Sequence, residues 1–338
     1  MSRPLRFGIL GAARITPAAL VYPAEGRSDV RLVTVGARDR ERAEAFAAEH
    51  RIERVAADYR AVVEDPEIDA VYVPLPATAH LAWARAALEA GKHVLCEKPL
   101  VANAAEARAL AAVAEGSGRV LMEAFHYRYH PLFARVQALL AAGAVGRVTH
   151  LAAHFAVPHV PPGDIRLTLE TGGGALMDLG CYCVHMLRHL TGAEPAVESA
   201  RAELGPPEVD VALEGNLRFP GPDGPTGAVS CSLRPEDPLA ARLAIEGTEG
   251  RLTVQNPVAP QVGHELRLVN AEGELREQVD RTPSYVYQLE AFLTAVRDGA
   301  PVPTDGADAV GTLTVIDALY HAAGLRPRRD PPEVPPAS

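Results

Sequence analysis

The first third of the chain alternates short, densely apolar runs with longer stretches in which Ala, Leu and Val recur at helical spacing. The apolar runs predict strands over Arg6–Leu10, Leu32–Ala37, Ala70–Pro74, His93–Glu97 and Val120–Glu123. The periodic stretches predict amphipathic helices over Thr16–Ala24, Asp39–His50, Thr78–Ala90 and Ala104–Glu115. Strands and helices in strict alternation are the pattern of βαβ units around a parallel sheet. Gly91 stands just past the third helix, where a C-cap glycine belongs.

Past Glu123 the texture changes. A helix over Pro131–Ala142 precedes a strand near Val148–Phe155, a Pro/Gly loop, and a strongly marked helix over Gly174–Leu190. From Ala196 to about Gln278 the chain reads as strands broken by Gly/Pro turns, among them Ala212–Phe219, Gly227–Leu233, Leu243–Glu246 and Glu265–Val269. Strands in succession without helices between them imply an antiparallel sheet. Two helices, Tyr285–Asp298 and Ala307–Ala323, close the fold, and the Pro/Arg tail Arg326–Ser338 is expected to fray. The fold class is α/β: an N-terminal Rossmann-type parallel sheet plus a C-terminal α/β domain with a large, mostly antiparallel open sheet.

Composition narrows the choice of partner. The chain has 338 residues, a net charge of −10 and 48% hydrophobic residues, which suits a globular protein of two domains, expected at 1–123 and 124–338. Its basic residues are scattered and the balance is acidic, which argues against nucleic acid as a partner. No apolar stretch approaches the ~20 residues of a membrane helix, and the N-terminus is too short before the first strand to hold a signal peptide. Cys96, Cys181, Cys183 and Cys231 lack CxxC spacing, so neither a zinc site nor a disulfide framework is expected, no metal is assigned, and a reducing cytoplasm fits. Among 33 basic residues only Lys92 and Lys98 are lysines. The skew reflects coding bias, but a lysine that persists against it merits attention.

The first strand runs into Gly11-Ala12-Ala13-Arg14-Ile15-Thr16 and then a helix, the context of a dinucleotide fingerprint. Gly11 permits the tight turn, small Ala13 lets backbone approach a pyrophosphate, and helix N–H groups face the anion. Ala13 and Thr16 stand where glycines are usual, so the motif is degraded, and a tight turn without ligand is the bland alternative. At the end of the second strand, Arg38 can fork a 2′-phosphate, which favours NADP over NAD. It is otherwise an ordinary surface arginine. Glu97 and Lys98 end another strand, and Pro74 a third, at the edge where open α/β sheets bind ligands. Lys92, at the opposite strand end, reads as solvated surface.

Glu97-Lys98-Pro99, the degraded fingerprint and Gly172-Gly173-Gly174-Ala175-Leu176-Met177-Asp178-Leu179-Gly180-Cys181-Tyr182 together resemble the glucose-fructose oxidoreductase, inositol dehydrogenase and rhizopine catabolism (Gfo/Idh/MocA) family. The resemblance spans Arg6 to about Leu325. It implies nicotinamide-dependent hydride transfer on a sugar or cyclic polyol, catalysis by Lys98, Asp178 and Tyr182, and a homodimer or homotetramer formed through the open sheet. A tyrosine at 182 is similar to the ketosugar reductase, xylose dehydrogenase and dihydrodiol dehydrogenase branches. On this reading Lys98 is the cation that eases ionisation of the Tyr182 phenol.

Asp178, Tyr182, His185 and His189 share one helix face by spacing, which brings His185 in as a substrate contact. Phe125, His126 and Arg128, in an aromatic and polar run after the last Rossmann strand, suit stacking on a sugar or on the nicotinamide, or wedging two domains together. Asp164 and Arg166 either line the pocket or brace a surface loop. Gly172–Gly174 either present N–H groups to an anion or serve as a flexible lead-in. The competing functional readings are a dihydrodiol dehydrogenase, a ligand-sensing regulator without catalysis, and redox-neutral chemistry on a tightly held cofactor.

Overall fold

A computed structural model of the chain describes residues 3–158, 160–205 and 208–329. The first sheet contains β1 (Leu5–Leu10), β2 (Val30–Gly36), β3 (Arg54–Val55), β4 (Ala70–Val73), β5 (His93–Cys96) and β6 (Leu121–Glu123), in the order β3-β2-β1-β4-β5-β6. Every pairing in it is parallel. β3 escaped the hydrophobic pattern because two residues carry no period. The helices Arg40–His50, Ala77–Glu89 and Ala104–Ser117 flank this sheet. The Asp39 and Asn103 side chains cap the first and last of them by accepting from Arg42 N and Glu106 N. The strand order reverses direction between β1 and β4, so a crevice opens at their carboxyl ends.

The second sheet holds β7 (Val148–Ala156), β8 (Ala196–Gly205), β9 (Val209–Arg218), β10 (Thr226–Ser232), β11 (Ala240–Gly247), β12 (Gly250–Gln255), β13 (Glu265–Asn270) and β14 (Gly273–Glu277). Its order is β14-β13-β12-β11-β7-β10-β9-β8. β7 precedes the rest in sequence and inserts at the centre, so it pairs antiparallel with β11 and parallel with β10. The other pairs are antiparallel.

The C-terminal helices return to the first sheet. Leu289, Phe292 and Leu293 of the Ser284–Asp298 helix share a core with Phe7, Ile9, Val35 and Tyr72. Two expectations need correction. Lys92 is not solvated surface: it is 8% exposed, and its Nζ donates to the carbonyls of Asp65 and Ile68 at 2.7 and 2.8 Å. The end of the chain is not frayed from Arg326 onward, because Arg328 is buried in an ion pair with Asp210; residues 330–338 lie outside the described residues. All four cysteines are buried free thiols. Among the described residues, no helix is long and apolar enough to cross a membrane.

Candidate active site

A cleft of about 530 Å³ opens where the crevice of the parallel sheet meets β7 and the second domain's marked helix. Ala13, Arg14, Ile15, Pro74, Glu97 and Lys98 line it from the first sheet, and Asp164, Arg166, Asp178 and Tyr182 from the opposite side. Gly11 makes the turn out of β1 at φ +100°, and its N–H donates to Gly36 O at 2.6 Å. Arg42 Nη2 donates to Ala12 O at 2.6 Å and braces the same loop, a contact that arginine abundance concealed in the sequence. Thr16 Oγ1 is buried at the helix entrance without a hydrogen-bond partner among the described residues. An orphaned hydroxyl, a left-handed glycine and a helix entrance fit the pyrophosphate of a dinucleotide. Arg38 is exposed just past the end of β2, open to a charged group on that cofactor.

Lys98 reaches across the cleft. Its Nζ donates to both the carbonyl oxygen and Oδ1 of Asp178, each at 2.8 Å, and stands 5.1 Å from the centroid of the Tyr182 ring. Burial works against the ammonium, but the Asp178 carboxylate prevails and holds the Lys98 pKa above the ordinary lysine value. Neighbouring Glu97 accepts from Tyr72 O–H at 2.7 Å, and its burial raises the carboxyl pKa.

Tyr182 is 5% exposed, with its hydroxyl 3.2 Å from His126 Nε2. His126 Nδ1 lies 2.8 Å from Ser284 Oγ, and its ring packs against Tyr285 at 4.0 Å. Burial, assisted by Lys98, pushes the His126 pKa down to about 3, so the imidazole is neutral. Burial also drives the Tyr182 pKa well above the usual phenol value, with Tyr285 and Glu97 adding to it. The expectation of a phenol eased toward ionisation by Lys98 is therefore not met in the free protein. Desolvation outweighs a cation whose charge is already matched by Asp178.

Asp164 and Arg166 do pair with one another, and they do so inside the cleft. The Asp164 side chain is 2% exposed and accepts from Arg166 Nε at 2.9 Å and from Arg14 Nη2 at 2.6 Å. Arg166 Nη1 lies 3.8 Å from Asp178 Oδ2. Opposite charges thus alternate from the fingerprint loop through Arg14, Asp164, Arg166 and Asp178 to Lys98. The hydrogen bond from Arg166 holds the Asp164 pKa well below the carboxylate range.

Other expected contacts stand behind the cleft. Phe125 is fully buried and stacks on His185 at 4.0 Å. His185 Nε2 lies 2.9 Å from Asp308 Oδ2, with Tyr127 O–H on Nδ1. Arg128 Nε donates to His189 Nδ1 at 3.1 Å. Sharing a face is not sharing a site, because His189 sits about 10 Å further along the helix axis than Tyr182. His185, His189 and Asp308 cluster as metal ligands would, yet their ligand atoms are engaged by one another and by Tyr127, Arg128 and Arg188. The triple glycine also departs from an anion nest: the N–H groups of Gly172, Gly173 and Gly174 donate to Leu169, Thr168 and Arg166 carbonyls. The sequence reading overlooked Phe155, Val157, Val258, Ala259, Gln261 and Tyr285, which form the opposite, largely apolar wall. No local motif marks them, because β7, the loop between β12 and β13, and the Ser284–Asp298 helix bring them together from distant parts of the chain.

Residues 5–125 match the model of the oxidoreductase family with an NAD-binding Rossmann fold, and residues 133–253 match the GFO/IDH/MocA C-terminal domain. The chain is 36% identical over 324 residues to D-xylose 1-dehydrogenase (NADP(+)) 2 of Haloferax volcanii, covering 94% of this chain and 97% of that protein. It is 35% identical to the dTDP-3,4-didehydro-2,6-dideoxy-alpha-D-glucose 3-reductase of Streptomyces antibioticus, covering 95% and 98%. A 3-ketoreductase from Actinomadura kijaniata, solved with NADP and TDP-benzene, superposes with a TM-score of 0.87 at 28% identity over 94% of this chain and 98% of the other. Matched by both family models and aligned over 94% of its length with a 36% identical relative, the chain belongs to the Gfo/Idh/MocA family of NAD(P)-dependent oxidoreductases.

Proposed function

We propose that this protein is an NADP-dependent oxidoreductase interconverting a secondary alcohol and a carbonyl on a sugar or other cyclic polyol, with Tyr182 as general acid/base. The observation that carries this reading is the convergence of Lys98, Asp178 and Tyr182 on a cleft floored by the fingerprint loop. The activities of the xylose dehydrogenase and ketosugar reductase relatives support the substrate class. Gly11, Ala13, Arg14, Ile15, Pro74, Glu97 and Lys98 would hold the dinucleotide, and Arg38 its 2′-phosphate. When bound, the nicotinamide supplies or accepts the hydride.

The residues of the chain handle the proton. A phenol with a raised pKa keeps its hydrogen until a nearby oxygen acquires charge, so Tyr182 donates in the direction of reduction. Lys98 then faces the new phenolate and the substrate oxygen with a full positive charge, and Asp178 fixes the ammonium between them. Neutral His126 orients the phenol through Nε2. Arg166, held in place by Asp164, offers donors to sugar hydroxyls, and Phe155 lines the same cleft as an aromatic surface for the ring's C–H groups. Residues 1–123 would bind the dinucleotide, and residues 124–338 the substrate and a second copy of the chain.

Tyr182→Phe should lower kcat by roughly 10²- to 10⁴-fold with NADPH binding unchanged, and the native protein should prefer NADPH to NADH. Full turnover by the variant would remove Tyr182 from the chemistry. The apolar wall of Phe155, Val157 and Val258 favours one alternative, an aromatic dihydrodiol. A panel of aldoses, ketosugars and dihydrodiols separates the two.

A further inference from the structure

Near the end of the described chain, one side chain returns to the interior at a place that matters for the site. Arg328 is 5% exposed and Asp210, on β9, is completely buried. Arg328 Nη2 pairs with Asp210 Oδ1, and Arg328 Nε donates to Gly173 O at 2.7 Å. The guanidinium lies 4.5 Å over the Tyr320 ring, whose hydroxyl donates to Asp210 Oδ1 at 3.0 Å. The other carboxylate oxygen, Oδ2, accepts from Leu176 N at 2.8 Å. Leu176 opens the π-helical turn Leu176–Gly180, which carries Asp178 and runs into the Cys181–Thr191 helix with Tyr182. Asn103 ties the same segment to the first sheet: its Nδ2 donates to Arg328 O at 2.9 Å, while its Oδ1 caps the Ala104–Ser117 helix.

We propose that Arg328 and Asp210 are positioning residues, and that the segment 326–329 is a strap fixing where the helix bearing Asp178 and Tyr182 begins. The inference rests on the reading of Tyr182 as acid/base. A carboxylate at a helix start is favoured by the exposed N–H groups there, and its bond to Leu176 N sets the axial position of the first turn. Burial by itself raises the Asp210 pKa, and Arg328 opposes that rise; Tyr320 and Cys231 are the other titratable groups facing it. The third glycine of the triple has the same explanation. At φ +132° a Cβ on Gly174 would overlap the Asp210 carboxylate and stand 2.6 Å from Arg328 Nη2. Gly173 supplies the carbonyl that Arg328 grips. A buried ion pair contributes little net stability compared with apolar packing, so fixing one arrangement is the role that suits it.

Arg328→Gln should lower kcat by roughly ten- to a hundredfold, since a shift of about 1 Å in a reacting group costs that much. NADPH affinity should hold, because the fingerprint loop is not touched. Amide hydrogen exchange should quicken at residues 175–183 and not across the chain. Arg328→Lys keeps the charge but not the fork, and should recover part of kcat and most of the protection. The strap is overturned if Arg328→Gln retains kcat within about twofold of the native chain, or if exchange rises evenly everywhere. Should Arg328→Gln not fold, Arg328→Lys decides by the same two readouts. Full turnover by Tyr182→Phe would instead undo the acid/base reading, while exchange at 175–183 still reads the strap.

Discussion

At the scale of single residues, the two lysines take different work. Lys98 is a compact ammonium that bonds two Asp178 oxygens and faces the Tyr182 ring at once, a geometry that a planar guanidinium cannot reproduce. Lys98→Arg should therefore cut kcat by roughly a hundredfold while the protein stays folded. Lys92→Arg forces a larger head into a pocket built for two carbonyl bonds, and should cost about 1–3 kcal/mol in urea unfolding with kcat preserved. Equal kinetic damage in both variants would contradict the assignment. The Tyr182 pKa gives a second test. In the proposed role of Tyr182, alcohol oxidation uses the phenolate, whose fraction grows about tenfold per pH unit below a pKa that burial has raised. Reduction uses the phenol, which is fully present there. Oxidation should climb between about pH 7 and 9 while reduction stays level; a flat oxidation profile would exclude Tyr182 as the base. That Lys98, Asp178 and Tyr182 line one cleft was legible from their motifs. Lys92 was misread because position in a turn says nothing about which carbonyls converge on it.

At the scale of elements, periodicity located most strands and helices, but it could not resolve how the marked helix begins. The sequence pattern runs smoothly from Gly174 onward, whereas the chain forms a π-helical turn over Leu176–Gly180 before the α-helix. A wider turn changes hydrogen-bond partners without changing the spacing of apolar residues, so the pattern cannot report it. Gly180 marks the place physically: a Cβ there would meet Leu176 Cδ1 at 2.6 Å and Cys231 Sγ at 3.0 Å. The glycines before it are legible as a motif, and their purpose emerges only from what surrounds them. Gly174→Ala combines a left-handed strain with overlap on the Asp210 carboxylate, and should destabilise the protein by several kcal/mol. At Gly172 (φ +77°) a Cβ would meet Ala77 Cβ at 3.3 Å, Thr78 Cγ2 at 3.4 Å and Thr78 N at 3.7 Å, none of them an overlap, so Gly172→Ala should cost about 1–2 kcal/mol. Thermal unfolding of the two variants side by side measures the difference, and similar melting shifts would show that the turn at Gly174 tolerates a side chain.

At the scale of the whole molecule, the two-sheet architecture followed from alternation in one half and strand succession in the other. What the sequence withheld is how the parts interlock. The Ser284–Asp298 helix sits late in the chain yet shares the core of the first sheet, and it brings Ser284 and Tyr285 against His126. Those contacts hold His126 in a buried site, facing Tyr182, Ser284 and Tyr285, with the charge of Lys98 and the ring of His130 nearby. The consequence appears in acid stability. With a folded pKa of about 3 against about 6.5 when unfolded, His126 binds a proton only in the unfolded state between those values. Protons taken up on unfolding make stability rise with pH, so this contribution is lost progressively as pH falls from about 6.5 toward 3. Glu123 acts in the opposite sense: burial raises its pKa, the folded state holds the extra proton, and acid favours folding. The net slope therefore mixes both, and the His126 share is read by difference. The free energy of urea unfolding of the native chain should fall about 1 kcal/mol per pH unit more steeply between about pH 6 and 5 than that of His126→Asn. Parallel slopes would mean that His126 is already protonated in the folded protein, and that the neutral imidazole beside Tyr182 is wrong.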